Sequence, residues 1–245
     1  MMGNAAAVTD RSFAVPDGVH NGHYGIGIVI DFFGLAGKYS GFPVDFVYPS
    51  MTSVVPANIA LIAGGKNPDE AKKFMAFSMS TEGQQLLFDP KISRLPILPY
   101  SQLKAPAGYP DPQEVAKRAK VQFDANLSEA RYQVVTSLFD QMVTFRLKEL
   151  QGATKAIQDA EKALKAKPNA RGSDLVKQAR ALAYTPLVGA ENVKNEQFLE
   201  LFRKSRRDVE VSKQLSGQEQ LWANKARENY ARAQQLATEA RGLAK

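Results

Sequence analysis

The sequence predicts an α/β layer followed by an extended all-α tail, and three observations point to it. Up to residue 112, short apolar runs alternate with helical segments, as expected where helices cover a sheet. The composition then changes from Gly- and Pro-punctuated chain to long stretches of Ala, Lys, Glu, Gln and Leu. Within those stretches apolar residues recur at three-four spacing, the period of a helix with one buried stripe. The expected division is 1–112 for the α/β part and 113–245 for the helical extension. They join through "APAGYPDPQ", whose prolines 106, 110 and 112 make a stiff link.

In the first part, "YGIGIVIDFF" reads as a strand running into a helix over Asp31 to Tyr39. Gly41-Phe42-Pro43 makes a turn, "VDFVYP" is a second strand stopped by Pro49, and "NIALIAGG" is a third closed by two glycines. "NPDEAKKFMAFSMS" carries a strong helix start: Asn67 caps, Pro68 takes the first position, and Glu70 completes a capping box. Ala71, Phe74, Met75 and Met79 then fall on one face, expected to be buried. "STEGQQLLFD" restarts a helix with Ser80 or Thr81 as its cap.

In the second part, Asn126 to about Lys167 reads as one long helix. Its apolar stripe runs through Val135, Leu138, Phe139, Met142, Phe145, Leu150, Ala153, Ile157, Ala160 and Leu164, and Pro168 ends it. "GSDLVKQARALAY" is a shorter helix capped at Ser173, "NEQFLELFRKSRRDVEVSKQ" another, and "GQEQLWANKARENYARAQQLATEARGLA" a final long one. Amphipathic helices joined by short loops imply a bundle or a long hairpin.

The 245 residues, 44% apolar and 23% charged, are enough for a sizeable core. No window reaches the run of about eighteen apolar residues of a membrane-spanning helix. Cysteine is absent, which excludes disulfides, thiolate metal sites and cysteine nucleophiles. The opening "MMGNAAAVTD" lacks the basic segment and long apolar segment of a signal peptide, and reads as a cloning scar or an internal start. The net charge of +7 is spread over helices that also carry Glu and Asp. The one dense cluster, Arg203-Lys204-Ser205-Arg206-Arg207, comes without a nucleic-acid motif or interleaved aromatics and reads as a solvated face. No nucleic-acid partner is expected.

Motifs for catalysis are missing: there is no Gly-x-Ser-x-Gly elbow, no His-Glu-x-x-His and no phosphate-cradling Gly-x-x-x-x-Gly-Lys loop. Gly25-x-Gly27 starts an apolar run instead of following a strand, so the dinucleotide fingerprint fails. His20 and His23 are the only histidines, and no third ligand accompanies them, so they read as loop residues. No catalytic residue, metal site or cofactor is expected, and the chain reads as a non-enzyme. Asp31, placed between an apolar run and the rings of Phe32 and Phe33, either caps its helix or faces a cleft at a strand's C-terminal end. Ser50, Thr52 and Ser53 follow Pro49 in a turn that is either an anion cradle or an ordinary hydrophilic turn.

The span from "NGHYGIGIVIDFF" to "RLPILP", with "KNPDEAKKFMAFSMSTEGQQLL" at its centre, closely resembles the C-terminal lobe of bacterial ABC-transporter solute-binding proteins. The nearest branch includes ferric-iron, phosphonate and phosphoglycerate binders. The resemblance covers about residues 8 to 112. It implies one α/β lobe of a type II periplasmic-binding-protein-like fold, with the N-terminal lobe largely absent from this sequence. It also implies a periplasmic location, a membrane ABC permease as partner, and capture of a small solute in an interlobe cleft. Ferric-iron relatives carry a tyrosine pair where this sequence has Phe32 and Phe33, whose rings have no oxygen for a hard cation. The implied solute is therefore a small organic anion or zwitterion such as a phosphonate. Its candidate ligand-binding residues are Tyr24, Asp31, Phe32, Phe33, Ser50, Thr52 and Ser53. The alternative is a regulatory or interaction module whose helical tail docks a membrane partner or self-associates.

Overall fold

The computed structural model describes residues 1–204 and 208–244, apart from the side chain of Val193. Ser205, Arg206 and Arg207 of the basic cluster lie outside the described residues. The chain divides into two units, Thr9–Asp124 and a helical unit built from Met1–Val8 with Ala125–Lys245.

The Thr9–Asp124 unit holds five helices among the described residues: α1 (Ala14–His20), α2 (Asp31–Tyr39), α3 (Pro68–Met79), α4 (Thr81–Gln85) and α5 (Pro112–Arg118). The starts of α3, α4 and α5 have local causes. Pro68 and Pro112 occupy first-turn positions where a missing N–H costs nothing. Ser80 Oγ accepts the Gly83 N–H at 3.1 Å, and Asp111 accepts the Gln113 N–H at 2.8 Å. Asn67 precedes α3 without a side-chain cap bond, and Glu70 pairs with Lys73 at 2.9 Å instead of closing a capping box. The core gathers Leu35, Phe88 and Tyr109, ringed by Tyr39, Phe46, Leu95, Tyr100 and Leu103. Buried Gln84 pins the "RLPILP" loop: its Oε1 accepts the Ile97 N–H at 2.7 Å while its Nε2 donates to the Ser78 carbonyl at 2.7 Å.

No strand occurs among the described residues, which corrects the α/β expectation and with it the type II binding-protein lobe. The three apolar runs expected to be strands, at 25–30, 44–49 and 58–63, are irregular, with no backbone hydrogen bonds between them. Ile26 is 89% and Ile62 80% exposed. The physical reason is that a helix closes its hydrogen bonds within one segment, whereas a strand needs a neighbour in register to close its own. The expected buried face of α3 is corrected too, since Phe74 and Met79 are exposed.

The helical unit contains α6 (Ala125–Met142), α7 (Leu147–Ala166), α8 (Ala170–Tyr184), α9 (Glu196–Lys204) and α10 (Val209–Gly242). The single helix expected over 126–167 is broken at Val143, followed by a 3₁₀ turn over Thr144–Arg146. The break frees the Met142 carbonyl, and the buried Tyr230 hydroxyl donates to it at 2.7 Å. Leu150, Ala153, Ile157, Ala160 and Leu164 of α7 form the expected stripe. It packs against Val176, Ala179 and Ala183 of α8 and Ala226, Tyr230, Ala233, Leu236, Ala237 and Ala240 of α10. Alanines at the seam let the helices approach closely. A second cluster joins Val134 of α6, Leu199 and Phe202 of α9, and Trp222 of α10. The cap of α8 is Asn169, whose Oδ1 accepts the Gly172 N–H at 2.9 Å, and not Ser173. Asp208 caps α10, accepting N–H groups of Glu210 and Val211 at 2.9 and 3.2 Å. With 34 residues, α10 is about 51 Å long at about 1.5 Å per residue. Residues of the opening segment pack on α7: Gln151 Nε2 donates to the Ala5 carbonyl at 2.7 Å, and Gln158 Nε2 to Asn4 Oδ1 at 2.9 Å. No helix among the described residues is long and apolar enough to cross a membrane.

Candidate functional site

Asp31 is the first residue of α2, and its carboxylate is shared between two donors of its own chain. Oδ1 accepts the Phe32 N–H at 2.8 Å, and Oδ2 accepts the Tyr48 hydroxyl at 3.0 Å. The acid therefore serves the helix start and ties it to the irregular 44–49 segment. Burial first, and the Asp31 charge second, push the Tyr48 hydroxyl well above the ordinary phenol range, so it stays protonated and donates. Phe32 and Phe33 lie half-buried with centroids 4.3 Å apart, and the Arg94 guanidinium sits 3.6 Å over the Phe32 ring. Tyr48 and Arg94 escaped the sequence reading, because one fell in an expected strand and the other in a motif recognised only as a signature.

The other residues expected at a ligand site make no hydrogen bond to Asp31 among the described residues. Tyr24 packs over Gly18, where an added Cβ would lie 2.4 Å from the Tyr24 ring. Ser50 is exposed, and Thr52 and Ser53 are half-buried in irregular chain. The Ser53 Oγ is buried without a hydrogen-bond partner among the described residues. No hydrogen bond among the described residues joins the Ser50–Ser53 turn to Asp31. His20 stacks on Phe42 at 4.2 Å, while His23 is exposed.

In the helical unit, Gln133, Thr136, Ser137 and Asp140 occupy one face of α6, opposite Leu215 and Glu219 of α10. With Phe202 of α9 they line a shallow groove of about 210 Å³. Ser137 Oγ donates to Glu219 Oε1 at 2.5 Å, bridging the two helices. Phe202 stacks on Trp222 with centroids 5.8 Å apart. A lining of Asp140 from α6, Glu219 from α10, two hydroxyls and a ring suits a cationic group. In contrast, Arg203 and Lys204 of the basic cluster are engaged by Glu196 and Glu200.

No family model and no solved structure matches this chain. The chain is 29% identical over 168 residues to the phosphoglycerate transport regulatory protein PgtC of Salmonella typhimurium, and to the same degree to PgtC of Salmonella typhi. Each match takes in 66% of this chain and 40% of the relative. The chain thus spans well under half the length of these curated relatives. They are named for regulation of transport, not for solute binding. Together with the missing sheet, this corrects the expected assignment to periplasmic binding proteins of type II. Transport is a theme that the resemblance and the relatives share.

Proposed function

We propose that this chain is a non-catalytic regulatory module of a phosphoglycerate transport system, acting on a protein component of that system. The similarity to two PgtC proteins carries the reading. The helical unit supports it, because a packed core of α7, α8 and the long α10 presents surface to a partner without needing a deep ligand pocket.

Deleting the coding sequence in its source organism tests this. Phosphoglycerate uptake and the transporter transcript are followed with and without phosphoglycerate in the medium. The expected result is a several-fold loss of induced transcript and uptake, restored by the full chain supplied in trans. When the transporter is expressed from an independent promoter, uptake should proceed without this chain. Unchanged induction in the deletion strain would overturn the regulatory reading. So would uptake that still requires the chain under the independent promoter, since that is how a transport component behaves.

A further inference from the structure

We infer that the α6 face of the helical unit is a docking surface for a basic amphipathic helix of a partner protein. The inference deepens the regulatory reading by naming the chemistry of the partner. It starts from an asymmetry in α6. Val134 is buried in the α9–α10 cluster and Leu138 packs against it, so one side of the helix is spent on the fold. Tyr132, Val135 and Phe139, at i, i+3 and i+7, form a second apolar stripe that the fold leaves open; Tyr132 is 63% and Val135 56% exposed. A helix with two apolar stripes and one partner has an unused side.

The charges beside that stripe select its occupant. Elsewhere on this unit, exposed acids are matched one turn away: Asp174 by Lys177 at 3.4 Å, Glu210 by Lys213 at 2.7 Å and Glu228 by Lys225 at 3.4 Å. Glu129 and Asp140 on α6 and Glu219 on α10 are different. None has a Lys or Arg three or four residues away in the sequence. None makes an ion pair among the described residues, and Glu219 accepts only the neutral Ser137 hydroxyl there. Asp140 and Glu219 face one another across the groove, whose α6 wall borders the stripe through Thr136. Around α6 the order is therefore buried side, acidic groove, exposed apolar stripe. In a chain of net charge +7, this is a local reversal of sign next to open apolar area. A ligand that satisfies both carries leucine-like side chains along one face and lysine or arginine along its border, which describes a basic amphipathic helix. A second copy of this chain fits less well. Antiparallel pairing of α6 centred between Val134 and Val135 brings Glu129 of one copy level with Asp140 in the other, placing like charges together.

The test uses the full chain and two synthetic helices of about five turns, one of leucine and lysine and one of leucine and glutamate. Binding is read by anisotropy of the labelled peptide and by emission of Trp222, the only tryptophan, which stacks on Phe202 at the groove. The leucine–lysine helix should bind saturably and the leucine–glutamate helix should not. Asp140→Asn with Glu219→Gln should weaken binding about tenfold, and Val135→Ser to a similar degree. Asp174→Asn with Glu228→Gln, which neutralises ion-paired acids elsewhere, should leave it unchanged. Circular dichroism confirms that each variant is folded, and Asp140→Asn alone, which disturbs no side-chain hydrogen bond among the described residues, gives an independent reading. Equal binding of both peptides, no binding of either, or equal weakening by the control pair would overturn the inference. A concentration-dependent dimer in sedimentation velocity that Val135→Ser abolishes would assign the face to a second copy instead. Because the peptides are defined, any of these failures leaves the deletion experiment free to stand or fall separately.

Discussion

Tyr230 of α10 is fully buried among alanines, and its hydroxyl donates to the Met142 carbonyl that the α6 break leaves free. Burial, with a smaller push from Glu149, raises its pKa to about 12 from the ordinary 10.0. The sign of the consequence follows from linkage. Below about pH 10 the folded and unfolded chains both hold the proton, and the stabilisation is complete. Between pH 10 and about 12 the unfolded phenol ionises while the folded one does not, so stability is lost as pH rises. The size is about 2–3 kcal/mol. Tyr230→Phe should cost about 1–2 kcal/mol near neutrality, because the Met142 carbonyl loses its partner, and should flatten the alkaline fall. Urea unfolding followed through Trp222 in the same unit checks both, and an equally steep alkaline fall in the variant would refute the account. In the Thr9–Asp124 unit, Asp31 and Tyr48 share one hydrogen bond. Asp31→Asn and Tyr48→Phe should therefore be non-additive by about 1 kcal/mol in a double-mutant cycle read by native-state hydrogen exchange. Additive effects would mean that the contact contributes nothing.

Among the elements, helices were legible wherever a few adjacent residues settle them. The Asp31–Tyr39 helix, Pro68 at its first-turn position and the Ser80 cap all emerge from local chemistry, and the structure has them where expected. The stripe from Leu150 to Leu164 was likewise readable from its period. "GSD" suggests a start at Ser173, yet Asn169 lies directly after Pro168 and reaches the Gly172 N–H first. Asn169→Ala should lower the stability of the helical unit by about 1 kcal/mol, Asn169→Asp should nearly preserve it, and Ser173→Ala should cost less than Asn169→Ala. Trp222 fluorescence in urea orders the three, and a reversed order of the two alanine variants would restore Ser173 as the cap. Strands were misread because an apolar run specifies burial without specifying a partner. At the site, Asp31 was legible as an acid with a dual reading. Its tie to Tyr48 was not, because a contact across seventeen residues leaves no local pattern.

At the scale of the whole chain, the two units differ in how their backbone polar groups are satisfied. In the helical unit, α7, α8 and α10 close their own hydrogen bonds and bury an alanine-rich seam, so exchange of their amides requires opening the core. In the Thr9–Asp124 unit, the runs at 25–30, 44–49 and 58–63 carry strand-like apolar residues but lack ladder bonds, and Ile26, Val47 and Ile62 face solvent. The amides there make no ladder bond in the folded state; in the 44–49 run the Val44 N–H donates to the Phe42 carbonyl and the Phe46 N–H to the Asp45 carboxylate. Hydrogen–deuterium exchange of the full chain should therefore show near-complete labelling of these three runs within seconds. Peptides from the centres of α7 and α10 should stay protected for far longer, approaching the global unfolding limit. An exposed apolar run with unpaired N–H and C=O groups is also a template for pairing with another chain. Slow exchange in these runs for the isolated chain would show that they are already paired, and the helical architecture of the Thr9–Asp124 unit would then have to be abandoned.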